Sequence, residues 1–333
     1  METMKFTIII ATRNRPKLLG HAIQSVMAQS FTDFEIIVVN DGSNSEYQDA
    51  YQALEKNTDN KVSFINLRTS LNGHGPSYSR NIGALHAQGN YLCFLDDDDT
   101  WIDQAHLRLA HDTLKKTQAD VYFSNQKVYE HQELTDKKIW LAPLDKLINK
   151  NTKQAINGAY SVTIDELLQV DGFCHLNTTT VSKPLFQTIN GFNENIRYEE
   201  DRLFYYTLLD KAEKIFYNPT ETARHNVPDK IKNDSASSST KTIEKYLYQL
   251  ALLDKSILSL KKAKIIKTLK RHKTYTLKAI SRELYQEKKY GLARHYALQV
   301  LFNDFTLKWL GFSLLLIIKS ATSINKHYKP HNN

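Results

Sequence analysis

The stretch Tyr91-Leu92-Cys93-Phe94-Leu95 runs straight into four consecutive carboxylates, Asp96 to Asp99. Carboxylates resist burial unless cations or donors meet them. The acids are therefore expected at the exposed carboxyl end of a buried strand. Four adjacent acids repel one another, and a divalent cation relieves that repulsion. Hard oxygen ligands suit magnesium or manganese, both companions of nucleotide phosphates. Two more acid positions stand out. Asp41 follows the strand-like run Phe34–Asn40, and Glu200-Asp201 opens a helical pattern. In a parallel sheet Asp41 and the acid run face one ligand crevice. A nucleoside diphosphate suits it: Asp41 for a base N–H, Asp96 or Asp97 for ribose hydroxyls, Asp98 for a metal on the phosphates. Glu200 or Asp201 is then the general base for an incoming hydroxyl.

The elements that would position these groups alternate. Phe6-Thr7-Ile8-Ile9-Ile10 reads as a strand buried on both faces, and Pro16 opens a helix with apolar positions through Met27. Phe34–Asn40 makes a second strand. Helices are expected at 46–56, 77–86 and 100–117, and further strands at 62–66, 91–95 and 121–124. The alternation predicts a doubly wound α/β sheet, mostly parallel. Residues 125–190 carry no assignable pattern. A helix is expected after Glu199-Glu200-Asp201, a short strand at 215–217, and a flexible segment at Asp234–Thr240.

From Thr242 the character changes. Ile243, Leu247, Leu250, Leu253, Ile257 and Leu260 form one stripe of an amphipathic helix, and another helix is expected over 290–301. From Lys241 onward 19 Lys and Arg face 5 Asp and Glu, a net of +14, against −6 for the first 240 residues. Such a tail points to an anionic surface as partner. Trp309–Ile318 is an uncharged run of ten residues. A spanning helix needs about 20, so this run is expected to lie in an interface or pack on protein. Lys308, Trp309 and Lys319 flank it as interfacial anchors would. Aromatics do not interleave with the basic patches as a nucleic-acid platform requires, so nucleic acid is not expected as a partner. Two cysteines, without disulfide or zinc spacing, and no apolar leader-like stretch fit a cytosolic setting.

Other site chemistries lack their residues. No Gly-x-Gly-x-x-Gly follows the first strand, and neither a P-loop nor a Gly-x-Ser-x-Gly elbow is present. Glycoside hydrolysis uses a pair of acids, not four in a row. Each singled-out residue also has a plain structural role open to it. Asp41 before Gly42 suits a turn, Arg80 a surface pair, and Glu200-Asp201 a helix N-terminus. His225 and His74 suit loop positions, and the Thr178–Thr180 run and Trp140 suit packing.

The ordered set Ala11-Thr12-Arg13-Asn14-Arg15-Pro16, Val38-Val39-Asn40-Asp41-Gly42-Ser43, Ser79-Arg80-Asn81-Ile82-Gly83 and Phe94–Asp99 resembles family 2 glycosyltransferases. Asn190–Glu194 and Glu199-Glu200-Asp201 extend the resemblance, which covers about residues 5 to 240. It implies a GT-A fold over 1–240, with 241–333 as a basic helical extension, and an inverting transfer from a nucleotide-diphosphate sugar, UDP-sugar first. The resemblance assigns Ala11, Arg13, Arg15, Asp41, Arg80, Asp96 and Asp97 to the donor. Asn81 follows Arg80 in the family's Arg-Asn pair. Asp98, Asp96 and His225 are assigned to Mn2+ or Mg2+. Asp201 is the base, with Glu200 beside it. Arg13 stands where the family often has Tyr.

The resemblance further implies a glycan or lipid-linked acceptor in bacterial surface polysaccharide or lipopolysaccharide assembly. The expected location is the cytoplasmic face of the plasma membrane, with the C-terminal helices on anionic lipid. A sugar nucleotidyltransferase and a non-catalytic nucleotide-sugar-binding protein are the competing functions.

Overall fold

A computed structural model describes residues 5–137, 139–148, 153–196, 198–227 and 241–327. The chain divides into two compact units, Met1–Asp234 and Ser235–Asn333. The expected flexible segment 234–240 lies outside the described residues.

The first unit is built on one sheet. Its N-terminal half holds β1 (Phe6–Thr12), β2 (Phe34–Asn40), β3 (Val62–Asn66) and β4 (Tyr91–Phe94) in the order β3-β2-β1-β4, all parallel. Three helices make the crossovers: α1 (Pro16–Met27), α2 (Gln48–Asn57) and α3 (Pro76–His86). The order reverses between β1 and β4, the switch point at which open α/β sheets bind ligands. Past β4 the sheet is mixed rather than mostly parallel. β9 (Thr179–Ser182) enters antiparallel between β4 and β6 (Val121–Glu130), and β10 (Ile215–Asn226) runs parallel to β6, while the two-residue strands β7 (Glu133–Leu134) and β8 (Tyr160–Ser161) pair antiparallel with β6 and β10.

Two sequence expectations change here, and one structural alternative holds. The run 100–117 is not one helix: Thr100–Trp101 is a short strand, β5, pairing with β10, and the helix α4 covers His106–Thr117. The last strand is 12 residues rather than three, so Arg224-His225-Asn226 are strand residues. The Thr178–Thr180 run packs, as its structural alternative held: Thr179 and Thr180 belong to β9 and all three are buried.

Alternating residues serve the two faces. Phe6, Ile8, Ile10, Ile36, Val38 and Cys93 pack with Leu19, Ile23 and Val26 of α1 and Leu107 and Leu114 of α4. On the other face Gly83 of α3 lies so close to Ile9 that a Cβ would sit 2.5 Å from its side chain. There too, Phe94 meets Phe186, Phe192 and Phe204 with ring centroids 5.1–5.9 Å away. Three short helices, α5 (Leu144–Leu147), α6 (Ile164–Leu167) and α7 (Lys183–Thr188), precede α8 (Glu200–Lys211), on which Phe204 stacks on Phe192 at 4.0 Å. This aromatic cluster seats α8 against the strand that carries the acids.

The second unit is helical: α9 (Thr242–Ser259), α10 (Ala263–Gln286), α11 (Tyr290–Asn303) and α12 (Leu307–His327). Leu277, Ile280, Leu284, Ala293, Ala297, Val300, Trp309 and Leu316 form its core. Along α9 the expected stripe holds at Leu253 and Leu260, whereas Leu247 is exposed. Trp309 is not an interfacial anchor. It is buried against Phe312, with the Arg282 and Lys278 cations over its ring. Lys319 lies over the rings of Tyr285 and Tyr290. Among the described residues no helix is long and apolar enough to cross a membrane.

Candidate active site

The carboxyl ends of β1, β2 and β4 converge. Ala11 is the penultimate residue of β1, opposite Val39. Beyond it, buried Thr12 donates through Oγ1 to Asp97 Oδ2 at 2.7 Å and shares a 2.9 Å bond with the Tyr51 hydroxyl. Arg15 reaches from the N-cap of α1 to Asp97 Oδ1 at 3.2 Å and Asp98 Oδ2 at 3.0 Å. Arg13 turns instead to the loop before α3, donating to the Ser70 and Leu71 carbonyls at 3.1 Å each.

Asp41, at the tip of β2, grips the same loop. Its Oδ1 accepts from His74 N–H at 2.7 Å and lies 2.9 Å from His74 Nδ1, and its Oδ2 accepts from Gly75 N–H at 2.9 Å. Glycine suits position 73: φ is +63°, which L side chains rarely adopt, and a Cβ would fall 2.5 Å from Asp41 Oδ2. The His74 ring stacks on Tyr78 at 5.2 Å.

Arg80, on α3 and almost fully buried, bridges two acids. Nη2 donates to Asp96 Oδ1 and Nη1 to Glu200 Oε1, each at 2.7 Å. Asn81 next to it donates to the Phe192 carbonyl and Glu194 Oε1 and accepts from Phe192 N–H, which fixes the turn leading to α8. Glu200 and Asp201 occupy the first turn of α8, where the helix dipole favours anions.

Asp99 is the most deeply buried of the four acids. It is buried, with Oδ2 accepting from Asn177 Nδ2 at 2.5 Å and lying 2.7 Å from His225 Nδ1, and Oδ1 accepting from Asn226 N–H at 2.7 Å. Asn177 also accepts the Asp96 N–H at 3.0 Å through Oδ1, so one buried amide holds both ends of the acid loop. The ligand atoms of Asp99, His175 and His225 lie within 4.8 Å of one another, a spacing that admits a metal ion.

Thr12, Asp99, His175 and Asn177 were not singled out from sequence. Asp99 lay inside the acid run and was legible as part of it. His175 and Asn177 sit in the stretch with no assignable pattern, and the sequence holds no cue to them.

Crowding sets the protonation states. Burial pushes the Asp98 carboxyl up to about 8, aided by Asp99 and Asp97 and opposed by Arg15. Burial likewise raises Asp97 to about 6, with Arg15 and Thr12 opposing. Asp96 goes the other way: burial is outweighed by Arg80, His175 and His225, and its carboxyl falls below the usual range. Burial raises Asp201 to about 7, with the Glu200 charge adding to it. Burial lowers His175 to about 4, and for His225 burial is outweighed by Asp99, so it rises. An excess of carboxylates around Asp98, with imidazole nitrogen at hand, suits a hard or borderline divalent cation.

Over 101 residues the chain is 38% identical to a GalNAc(5)-diNAcBac-PP-undecaprenol β-1,3-glucosyltransferase of Campylobacter jejuni, a match covering 30% of this chain and 32% of that protein. The chain thus spans about a third of that relative's length. A UDP-Glc:α-D-GlcNAc-diphosphoundecaprenol β-1,3-glucosyltransferase of Escherichia coli, WfgD, is 26% identical over 168 residues, 50% of this chain and 63% of that one. Among solved structures, Staphylococcus aureus TarS 1–349 in complex with UDP-GlcNAc superposes with a TM-score of 0.65 at 18% identity, covering 97% of this chain and 89% of that one. The mannosyltransferase PcManGT of Pyrobaculum calidifontis, in complex with GDP-Man and Mn2+, gives 0.57 at 13% identity, with 98% and 88% covered. These neighbours share the GT-A-like α/β architecture. Residues 7–166 match the family model for glycosyl transferase family 2.

Proposed function

We propose that this protein is an inverting glycosyltransferase that moves a sugar from a nucleotide-diphosphate donor, UDP-sugar first, to a hydroxyl of a glycan or lipid-linked acceptor. The observation that carries this reading is the joining of Asp96 and Glu200 by Arg80, which brings the acid loop beside the first turn of α8. Ala11, Arg13, Arg15 and Asp41 border the base and ribose side of the crevice, with Asp96 and Asp97 toward the ribose. Asp98, Asp96 and His225 would hold a divalent cation, Mn2+ or Mg2+, which when bound neutralises charge on the leaving diphosphate. His225 spends Nδ1 on Asp99, which leaves Nε2 as its ligand atom.

Asp201 takes the proton from the acceptor hydroxyl. The freed oxygen attacks the anomeric carbon on the face opposite the nucleotide, the bond to the diphosphate oxygen breaks, and its electron pair leaves with the nucleotide. Glu200 is held by Arg80 as a strut, so the proton goes to Asp201. The test is Asp201→Asn: donor affinity retained and turnover lost, because a base acts only in the transition state. Equal loss of donor binding would defeat the assignment.

The second unit serves, in this reading, to dock the enzyme on an anionic membrane where lipid-linked acceptors lie. Leu314, Leu315, Ile317 and Ile318 of α12 are exposed while Trp309, Ser313 and Leu316 of the same helix are buried. The net charge of this part of the chain supports attraction to anionic lipid. A role in bacterial surface-polysaccharide assembly at the cytoplasmic face of the membrane follows from the acceptor class.

A further inference from the structure

Trp140 stands one ring away from the acid loop. Its indole centroid lies 5.0 Å from the His225 ring and 5.4 Å from the His175 ring, both edge-on. His225 is tied to Asp99, and His175 Nε2 lies 3.8 Å from Asp96 Oδ2.

The backbone goes out of its way to put the indole there. Trp140 has φ +54°, a left-handed conformation unusual for a bulky residue. Its carbonyl presses on Gly172, where a Cβ would fall 2.1 Å from the oxygen, so no other residue fits at 172. The next residue, Leu141, is buried, and its carbonyl accepts from the Tyr217 hydroxyl at 3.2 Å. Leu144 is buried as well. The segment is thus anchored by its leucines, while Trp140 as a residue is partly exposed. Strain of this kind persists where the surroundings over-determine it, and it clusters at ligand sites. Beneath, on the same face of the sheet as His225, Gln126 accepts from Asn177 through Oε1, while its buried Nε2 has no partner among the described residues.

We propose that Trp140 is a sugar-facing residue, an aromatic platform for the pyranose ring of the donor or of the acceptor's terminal sugar, flanked by His175 and His225. An indole face matches the C–H face of a pyranose, and neighbouring polar groups suit its hydroxyls, the pattern of an apolar wall with a few convergent polar atoms. This inference rests on the transferase reading and adds to it the residue that meets the sugar.

The test titrates UDP, UDP-glucose and UDP-GlcNAc, each with Mn2+, into wild type, Trp140→Ala and Trp140→Phe. UDP affinity is expected to stay within about twofold in all three, which also reports an intact fold. If the platform serves the donor, the nucleotide sugars bind Trp140→Ala about tenfold more weakly while Trp140→Phe retains binding. If it serves the acceptor, donor affinities hold, and the KM for octyl glucoside or octyl N-acetylglucosaminide as surrogate acceptor rises about tenfold with kcat little changed. Unchanged donor affinity together with unchanged acceptor KM in Trp140→Ala overturns the proposal, as does loss of UDP binding itself. A wild type that binds none of UDP, GDP, dTDP and CDP removes the transferase reading and this inference with it.

Discussion

Arg80 Nη1 donates to Glu200 Oε1 at 2.7 Å, joining two residues 120 positions apart in sequence. The same guanidinium holds Asp96, so the donor side and the base side of the crevice share one buried cation. Removing it leaves two largely buried carboxylates without the cation they share. Arg80→Ala is expected to cost about 3–5 kcal/mol of stability at neutral pH, measured by urea unfolding. The loss should shrink as the pH falls and the acids take up protons. Unchanged stability would show that the bridge carries little.

The Asp201 carboxyl, raised to about 7 by burial and by Glu200, predicts a pH profile. A carboxylate base works deprotonated, so kcat/KM should climb with pH and level off above about 7. The stability effect has the opposite sign. A carboxyl whose pKa is higher folded than unfolded adds stability that is complete below its unfolded value near 4 and is lost as pH rises through 7. Asp201→Asn, which carries no charge, should therefore raise Tm at pH 8, with the gain shrinking toward pH 5. An activity plateau extending down to pH 5 would count against Asp201 as base.

Asn177 predicts a separable defect in the acid loop. Its amide holds the Asp96 N–H and the Asp99 carboxylate, and Asp99 in turn orients His225. Asn177→Ala and Asp99→Asn should each weaken Mn2+ binding about 10–100-fold, the range for groups that orient metal ligands. Electron paramagnetic resonance of Mn2+ reads this directly, and wild-type metal affinity in both variants would refute it.

Much of the first unit was legible because its physics is local. Ile8, Ile10, Val38 and Phe94 read as buried strands, and the acids at their ends had to emerge where water or cations meet them. What failed was non-local. Thr100-Trp101 has helical neighbours in sequence, but β10 supplies a ladder for it. His225 was expected in a loop because the register of β10 on β6 is invisible along the chain. In the second unit the dense Lys and Arg of α10 mask a buried stripe of Ile265, Leu269, Leu277, Ile280 and Leu284. Trp309 looks like an interfacial anchor along the chain because its burial depends on α10 and α11 folding back around it.

The exposed apolar residues of α12 predict salt-sensitive membrane binding. Phosphatidylglycerol vesicles should sediment the full chain at low salt and release it at high salt, as screening weakens attraction to the basic residues. Leu314→Ser with Ile318→Ser should reduce binding while leaving nucleotide affinity intact. Equal sedimentation of this double variant and wild type would defeat the docking role.

The central claim is a metal-dependent nucleotide-sugar site at the acid loop. Calorimetric titration of UDP, GDP, dTDP and CDP, with Mn2+ and with EDTA, into wild type and Asp98→Ala tests it most directly. The account predicts one nucleotide, UDP, that binds wild type only with the metal and fails to bind the variant. Binding that is indifferent to EDTA and to Asp98, or no nucleotide binding at all, would contradict it.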